Sequence, residues 1–581
     1  MSIDTEAAAR LERYVPRIAA DWDAEAAGRR WQELDASLCF VDISGFTSLS
    51  EKLSRRGRIG AEELTAVLNR VFGEMLDTAY QHGGSLLKFG GDALLLMFDG
   101  HDHATRAASA AVEMRSALRS AVELQTSVGR LRLRMSVGIH SGAIHLFRAG
   151  TSHQELVVAG LGGTMTTVVE KTARPGEIVV SSGTRDRLPP GATGTARGVG
   201  WLLRWRTGRS PARGPISREG HSAESVEIWV PCSLREYLTA GHAEPEHRVA
   251  TVGFVRFCGV DLQIERRGTD WVAEAIDETM SLIQTVADDE QVTFLGTDIN
   301  EDGAKAILVA GAPVAREGDE GRLLRVARRL ADSPRSLDLH FGINRGHVFT
   351  GEVGTEFRST YTVMGDTVNV AARLMSAAPA QTIYATPGVL DQSTTLFAAT
   401  ALPPLLVKGK EEPVKAYSVG EELGSRSTGA LEGLPFVGRG AQMAQLHDAV
   451  GAVRTGNGSV VTVRGEAGFG KSRLIREVVA SNSDLGLITI RAEPYGSASP
   501  YRPLRDGLRL LLGIDRGTND DMARALGERV DATAPELLPM LPLIGEVAHI
   551  DIPDTPEVAE IEPRFRRTRL TAVFRSLMEL S

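Results

Sequence analysis

The stretch FVDISGFTSLSEKL, residues 40–53, decides the fold and gives the first candidate site. The apolar run SLCFV before Asp42 predicts a buried strand that ends at this aspartate, and a small, flexible turn follows at once. Burying a lone carboxylate costs several kcal/mol unless the group is paired or binds a metal ion. Asp42 therefore either caps the next helix or holds a cation, and the rest of the chain has to decide between the two.

Composition limits the classes of protein to consider. The chain of 581 residues predicts three or four domains, and its net charge of -9 provides no basic surface for nucleic acid. Three cysteines, Cys39, Cys232 and Cys258, are too few and too scattered for a disulfide framework or a zinc site. No apolar run reaches the roughly 18 residues that span a membrane, and the acidic N-terminus is no signal peptide. We expect a cytoplasmic protein that has no membrane segment and binds no nucleic acid.

An internal repeat dominates the chain. The segment TVGFVRFCGVDLQIERRG aligns with SLCFVDISGFTSLSEKL, and LHFGINRGHVFTGEVG aligns with LRMSVGIHSGAIHLF. A repeat of this size indicates two copies of one fold in one chain. The order of strands and helices within each copy predicts an α+β, ferredoxin-like sheet with helices on one face.

Changes in composition suggest the domain boundaries. Residues 191–245 and 423–433 are rich in Gly, Ser, Arg or Pro and are interpreted as linkers. The predicted organisation is an N-terminal helical segment at 1–34, a first domain at 35–190, a linker at 191–245, a second domain at 246–422, a linker at 423–433 and a nucleotide-binding module at 434–581.

The segment SVVTVRGEAGFGKSRLIREVV begins the third unit and predicts a strand, a GxxxxGKS loop and a helix. In such a P-loop the backbone amides and the lysine hold the phosphates of ATP, and the hydroxyl ligates magnesium. The predicted nucleotide-binding residues are Gly465, Gly468, Gly470, Lys471 and Ser472. This predicts an α/β NTPase domain, but no acidic residue at the end of a later strand is evident. We expect the module to be incomplete and the missing C-terminal region to bind protein partners.

Three motifs, FVDISGFT, GGSLLKFGGDALLLMF and TVMGDTVNVAAR, occur in this order and together resemble the class III nucleotidyl cyclases. The resemblance covers about residues 36–420, and the tandem layout with a P-loop module is similar to the soluble, bicarbonate-responsive adenylate cyclases. It implies that the two domains pair head to tail as a pseudo-heterodimer. The active site would then lie between them and convert ATP to 3′,5′-cyclic AMP and pyrophosphate.

The resemblance assigns metal and phosphate groups to the first copy. Two Mg²⁺ or Mn²⁺ ions would be held by Asp42, Asp92 and the carbonyl of Ile43, and hard carboxylate oxygens suit these ions. The turn after Ile43 would bind phosphate through Gly45, Phe46 and Thr47. Taken alone, Asp42 fits a helix cap and Asp92 an ordinary turn residue.

The second copy would supply the remaining groups. The resemblance implies that Asn369 orients the ribose and that Arg373 stabilises charge on the phosphate. They lie four residues apart, so a helix places them on one face. Thr362 would face the base and Lys408 would contact the triphosphate. A surface helix and a solvated turn lysine are the ordinary alternatives for these residues.

The two copies differ at these positions. Arg256 and Ala304 stand in the second copy where the first has its aspartates, and Thr164 and Val168 stand in the first copy where the second has asparagine and arginine. Each copy therefore lacks the half that the other supplies. We expect one complete composite site and one degenerate pseudo-site.

Two specificity questions remain open in the sequence. The lysine that reads adenine in the family is absent from FLGTDINEDG, and Lys305 is expected to be out of place, so GTP with Glu301 at the base is an alternative substrate. Lys88 matches a regulatory anion site, but Thr167 stands where an arginine is expected, which predicts weak or absent bicarbonate activation. The alternative function is a catalytically weak nucleotide sensor that regulates the attached P-loop module.

Overall fold

The structure is a computed structural model with side chains. It describes the chain apart from residues 1–9, 24–27, 46–48, 50–51, 54–56, 121–124, 128, 131–132, 205–222, 240–244, 317, 406–412, 426–435, 437, 466–470, 483–484, 486–503, 505–507, 510–511, 515–518, 549 and 581. The chain divides into two units, residues 1–427 and 428–581. None of the described helices is both long and apolar enough to cross a bilayer.

The first domain contains one eight-stranded sheet and the helices that cover it. Its strands and helices are β1 (Trp31–Ser44), α2 (Gly57–Gln81), β2 (Gly84–Phe89), β3 (Ala93–Asp99), α3 (His103–Ser120), β4 (Gln125–Thr126), β5 (Gly129–Arg130), β6 (Arg134–Ala149), β7 (Glu155–Ala159), α4 (Leu161–Thr172), β8 (Ile178–Val180), α5 (Ser182–Arg185), β9 (Thr193–Arg197) and β10 (Gly200–Leu203), after a short α1 (Arg17–Ala20). The sheet order is β2-β3-β1-β6-β8-β10-β9, and β7 pairs with β6.

The second domain repeats this arrangement. Its elements are β11 (Glu246–Cys258), α8 (Val260–Arg267), α9 (Thr269–Asp289), β12 (Thr293–Asn300), β13 (Gly303–Ala310), α10 (Asp319–Asp332), β14 (Asp338–Gly354), β15 (Ser359–Met364), α11 (Asp366–Ala377), β16 (Ile383–Ala385), α12 (Pro387–Gln392), β17 (Thr395–Ala401) and β18 (Tyr417–Ser425), preceded by α6 (Ala223–Glu227) and α7 (Cys232–Thr239). The order β12-β13-β11-β14-β16-β18-β17, with β15 on β14, matches the first sheet strand for strand. The internal repeat is thereby confirmed as two copies of one α+β fold.

Several predicted boundaries are corrected. Strand β1 begins at Trp31, so the helical segment does not extend to residue 34. Strands β9 and β10 lie within the predicted linker 191–245 but close the first sheet, because β10 pairs with β8. Helices α6 and α7 lie in the same segment, and β18 continues to Ser425, past the predicted domain boundary at 422. The composition rich in Gly, Arg and Pro hid two short strands, of which β9 forms the edge of the sheet and β10 lies between β9 and β8.

The two domains exchange side chains at the ends of their longest strands. Strands β6 and β14 have 16 and 17 residues, and their last residues stay paired in their own sheets while some of their side chains pack into the other domain. Phe147 at the end of β6 is fully buried in the core of the second domain, and Phe349 on β14 is fully buried in the core of the first. Each domain therefore completes its core with its neighbour's side chains, which fixes a head-to-tail pairing.

The unit 428–581 is described by itself. Its helices are α13 (Gly440–Arg454), α14 (Lys471–Ala480), α15 (Asn519–Thr533), a 3-10 helix (Pro535–Met540), α16 (Leu541–Ala548), α17 (Pro556–Ala559) and α18 (Pro563–Leu580). Its core includes Leu526, Val530 and Leu543. The described residues of this unit contain no strand, and the segment 457–465, predicted to be the strand before the P-loop, is irregular.

We predict that Phe147→Ala lowers the free energy of unfolding of the paired domains by about 3–5 kcal/mol, because it leaves a cavity in a core shared by both. All six tryptophans lie between Trp22 and Trp271, so urea unfolding followed by tryptophan fluorescence reports on this unit alone. Val199→Ala, at a side chain that is half exposed, is the control and should change stability by less than about 0.5 kcal/mol. A loss of under about 1 kcal/mol for Phe147→Ala would contradict the exchanged core.

Candidate active site

Two aspartates of the first domain lie side by side at the edge where β1 and β3 begin to separate. Asp42, near the end of β1, pairs in register with Ala93, the first residue of β3. The backbone N–H of Ile43 donates to the carbonyl of Asp92 at 3.2 Å, which links the strand to the hairpin turn between β2 and β3. The ladder between two central strands thus fixes both carboxylates more firmly than a surface loop would.

The electrostatics of this pair favour a cation. Burial and the neighbouring charge of Asp42 raise the pKa of Asp92 to about 7, although the charge of Lys305 works in the opposite direction. A divalent ion would relieve this repulsion, and carboxylates are the ligands it prefers. Among the described residues no group of three His, Cys, Asp or Glu could hold a metal ion. A metal here would therefore rest on Asp42, Asp92 and a backbone oxygen such as that of Ile43, and the donor set fits a hydrated Mg²⁺ or Mn²⁺.

Helix α11 of the second domain carries the predicted residues Asn369 and Arg373. Helix α11 begins directly after Gly365, whose φ of 129° lies in the region that favours glycine. Asn369 lies in its first turn and Arg373 one turn later, where the side chain is partly exposed. The helix therefore displays both predicted groups along one side, with Asn369 nearer to the first domain.

A cavity of about 140 Å³ lies between the two domains and is lined by some of these groups. The first domain contributes the hairpin turn with Asp92, and the second contributes β12, β13, β15 and the start of α11. The cavity lining includes the sequence-predicted residues Asp92, Thr362 and Asn369. Asp42, Ile43, Gly45 and Arg373 are not part of this lining, and Arg373 lies one turn further along α11.

Lys305 and Asp298 form a buried ion pair in the cavity wall. Lys305 Nζ lies 2.9 Å from Asp298 Oδ2, and the aspartate side chain is 4% exposed. The expectation that Lys305 is out of place is wrong: it stands on β13 opposite Asp298 on β12 and faces the cavity. Gly90 packs closely against this pair across the domain boundary, because a Cβ at this position would lie 3.1 Å from Asp298 Oδ2. The cross-strand pairing of an acidic and a basic residue is the signal that could have identified this pair from sequence.

The chain matches the models of two known protein families. The family model described as the adenylate and guanylate cyclase catalytic domain matches residues 31–199 and 242–420, more than half of the chain. The chain belongs to this cyclase family. A second model, the AAA ATPase domain, matches residues 435–581 and agrees with the predicted P-loop module.

The chain is similar to several curated and solved proteins. It is 21% identical to adenylate cyclase type 10 of Oryctolagus cuniculus over 99% of this chain and 39% of that protein. It is 21% identical to adenylate cyclase type 10 of Homo sapiens over 94% of this chain and 37% of that protein. A solved class III adenylyl cyclase-like ATP-binding protein from Pseudomonas aeruginosa is 10% identical, with 67% and 93% of the two chains covered and a TM-score of 0.45. The chain thus spans less than two fifths of the length of these two curated relatives.

The second interface of the cyclase pair is the degenerate one. Arg256 on β11 pairs in register with Lys305, and the corresponding pair in the first domain is Asp42 with Ala93. Ala304, which precedes Lys305, therefore occupies the position of Asp92, which precedes Ala93. Helices α4 and α11 each have 12 residues, and Thr164 is the fourth residue of its helix, as Asn369 is of α11. The register and the helix positions thus agree with the sequence alignment, and the complementary loss of function stays a prediction.

Direct bonds between the domains occupy this pseudo-site. The backbone N–H of Asp302 donates to Thr164 Oγ1 at 2.8 Å. Lys171 Nζ donates to Glu301 Oε1 at 2.6 Å on the surface. Glu301 therefore lies outside the cavity that holds Asp92, and nothing in the geometry supports its contact with a guanine base there.

Lys88, predicted as part of an anion site, already has an anionic partner. Its ammonium group pairs with the carboxylate of Glu155, and both side chains are nearly inaccessible. Glu155 thus neutralises the charge that a small anion would need. Sequence reasoning did not identify Glu155, because it is the first residue of an otherwise apolar strand and has no motif around it.

Some predicted residues lie outside the described part of the chain: Phe46, Thr47, Lys408, Gly468 and Gly470. Gly45 is described as an exposed turn residue with φ of 117°, which a side chain would disfavour. In the second unit, Lys471 begins α14 and donates from Nζ to the carbonyl of Gly465 at 2.8 Å. Ser472 follows in the first turn of the same helix.

We predict a measurable energetic coupling between Lys305 and Asp298. Lys305→Met alone leaves the buried carboxylate of Asp298 without its cation. The double variant with Asp298→Asn should therefore lose less free energy of unfolding than the sum of the losses in the two single variants, by about 1–3 kcal/mol. The measurement is a double-mutant cycle of urea unfolding followed by tryptophan fluorescence. The exposed pair Lys171–Glu301 is the matched control, with expected coupling below about 1 kcal/mol. Equal coupling in the two cycles would contradict a buried pair.

Proposed function

We propose that the paired domains form an adenylate cyclase that converts ATP to 3′,5′-cyclic AMP and pyrophosphate. The observation that carries the proposal is the cavity between the domains, which has Asp92 from the first domain and Asn369 and Thr362 from the second in its lining. Each copy lacks the groups that the other provides, so only this interface has a complete set. The similarity to two adenylate cyclases of type 10 supports ATP as the substrate.

The proposed roles follow the chemistry of phosphoryl transfer. Attack of the ribose 3′-hydroxyl on the α-phosphorus builds negative charge that positioned cations must balance. Two divalent ions held by Asp42, Asp92 and the carbonyl of Ile43 would supply positive charge at the phosphates. Asn369 orients the ribose, and the Arg373 guanidinium donates to the reacting phosphate. Substrate binding would have to bring Arg373, one turn away from the cavity lining, within reach.

The base is proposed to meet Lys305, Asp298 and Thr362. An ammonium group donates to a ring nitrogen of adenine, and a carboxylate accepts from the exocyclic amino group. Guanine offers an oxygen and an N–H to the same pair, so the pair by itself accepts both purines. ATP is preferred in this proposal because of the named relatives and because Glu301 lies outside the cavity.

Two further features belong to the same proposal. The module at 434–581 binds ATP through Lys471 and Ser472, which is supported by the match to an AAA ATPase domain. Weak or absent activation by bicarbonate stays a prediction, supported by the position of Glu155 at Lys88. A bicarbonate titration that gave several-fold activation would contradict it.

We predict that the purified chain forms cyclic AMP from ATP, and that Asp42→Ala or Arg373→Ala lowers kcat/KM at least about 100-fold, because each removes charge stabilisation from the transition state. Product is measured by chromatography with ATP and GTP offered separately, first with Mg²⁺ and then with Mn²⁺. Val168→Ala is the matched control, since Val168 occupies the position of Arg373 in the pseudo-site helix. Its activity should stay within about twofold of the parent.

The outcomes separate the two candidate functions. Cyclic GMP as the main product would overturn the assignment of ATP. ATP binding without any cyclic product would favour the alternative, a nucleotide sensor that regulates the attached module. Equal loss of activity in Val168→Ala and Arg373→Ala would contradict the division into one complete and one degenerate site.

We predict two ATP sites per chain. Titration calorimetry with ATP should give a stoichiometry near two for the parent and near one for Lys471→Ala, because this substitution removes the P-loop charge that meets the β- and γ-phosphates. Lys415→Ala, at a lysine outside both sites, is the control and should keep both equivalents. A stoichiometry unchanged by Lys471→Ala would exclude the P-loop as an ATP site.

A further inference from the structure

A buried carboxylate that has no catalytic role joins the two domains directly behind the cavity. Glu155 begins β7 in the first domain, and its side chain is 7% exposed. Its Oε1 accepts hydrogen bonds from the backbone N–H of Thr297 at 3.0 Å and from Thr297 Oγ1 at 2.7 Å. Thr297 belongs to β12 of the second domain, so these bonds cross the domain boundary.

Two cationic or polar neighbours hold Glu155 in its charged form. Lys88 Nζ pairs with the carboxylate and also donates to Thr297 Oγ1 at 3.1 Å. His153 Nε2 lies 3.9 Å from Glu155 Oε2. Burial works to raise the pKa of Glu155, but the charge of Lys88 and the hydrogen bonds from Lys88 and Thr297 keep it below its ordinary value. The group is therefore a permanent acceptor for Thr297 at neutral pH.

The contact with Glu155 supports one wall of the cavity. Thr297 and Asp298 on β12 both belong to the cavity lining, and Asp298 positions Lys305 through their ion pair. The pairing of β12 with β13 is irregular between Phe294 and Gly296, immediately before these residues. An irregularity of this kind locally disrupts the ladder, so the ladder alone fixes this wall less well than a regular strand would. The two bonds from Thr297 to Glu155 supply a second support from the opposite domain.

We propose that Glu155 is a positioning residue for the nucleotide cavity, which acts through Thr297 to set where Asp298 and Lys305 stand against the bound nucleotide. The inference rests on the proposed binding of ATP in this cavity. It adds a residue that touches neither the substrate nor the metal ligands. It also gives the Lys88–Glu155 pair a function in this cavity.

The test compares two variants that differ only in the acceptor offered to Thr297. Both carry Lys88→Met, which removes the buried cation, and Lys471→Ala, which removes the second ATP site. One has Glu155→Gln and keeps an acceptor oxygen, while the other has Glu155→Leu, of similar size, and offers none. We expect the glutamine variant to keep the KM for ATP within about threefold of the Lys471→Ala parent and the leucine variant to raise it about tenfold, with a smaller fall in kcat.

Melting temperature and a surface control separate positioning from stability. The two variants should melt within a few degrees of each other, because neither leaves a buried charge without a partner. Lys171→Met with Glu301→Gln removes the exposed pair between the same domains and should leave KM unchanged. Equal KM values for the glutamine and leucine variants, or a KM that changes only in step with melting temperature, would overturn the proposal.

The same comparison is made with equilibrium binding of ATP by calorimetry. If the parent binds ATP but forms no cyclic nucleotide, the proposed activity fails and the dissociation constants still decide the role of Glu155. A tenfold weaker dissociation constant for the leucine variant supports the positioning role in that case. If the Lys471→Ala parent binds no ATP, both proposals are overturned together.

Discussion

The structure depends on the reciprocal burial of two strand ends. Phe147 completes the core of the second domain, and Phe349 completes the core of the first, so neither domain has a finished apolar core by itself. This constraint sets the distance between the hairpin turn that holds Asp92 and the helix that holds Asn369. A site assembled from two domains is only as well defined as the contact between them. Here that contact is a shared core, which deforms much less readily than a polar surface would.

The paired arrangement also explains how the two interfaces diverged. Both have the same strands and helices, yet one keeps an open cavity lined by charged groups and the other is crossed by direct bonds such as Asp302 to Thr164. An unpaired carboxylate at a closed interface would cost free energy. At the second interface the positions of Asp42 and Asp92 are occupied by Arg256 and Ala304, which carry no carboxylate. At the open interface the paired carboxylates persist, with the pKa of Asp92 raised by burial and by Asp42, which is costly unless a ligand offsets it. The raised pKa of Asp92 therefore agrees with the cation site proposed at this interface.

The sequence was sufficient for the features that repeat or follow a motif. The internal repeat, the α+β class, the alignment of Arg256 with Asp42 and of Thr164 with Asn369, and the helix after the P-loop all follow from local pattern. Strands β9 and β10 were not predicted, because they have only five and four residues and lie in a stretch rich in Gly and Arg; of the two, only β9 is an edge strand. Lys305 was not identified for a different reason. The family motif places the base-reading lysine in FLGTDINEDG, most of which forms β12. In this chain Lys305 lies on the neighbouring strand β13 and still lines the cavity, and only the register between the two strands reveals this.

Glu155 shows where sequence reasoning ends and what the fold adds. Its neighbours along the chain are apolar, so the local pattern predicts a strand and gives no sign of a bound partner. The partners lie 67 residues before it and 142 residues after it, at Lys88 and Thr297. Only the head-to-tail pairing brings them together, so the first domain supports the strand of the second on which Asp298 stands. Under the proposed function, a carboxylate that touches neither the nucleotide nor the metal ions then helps to position the residues that face the base.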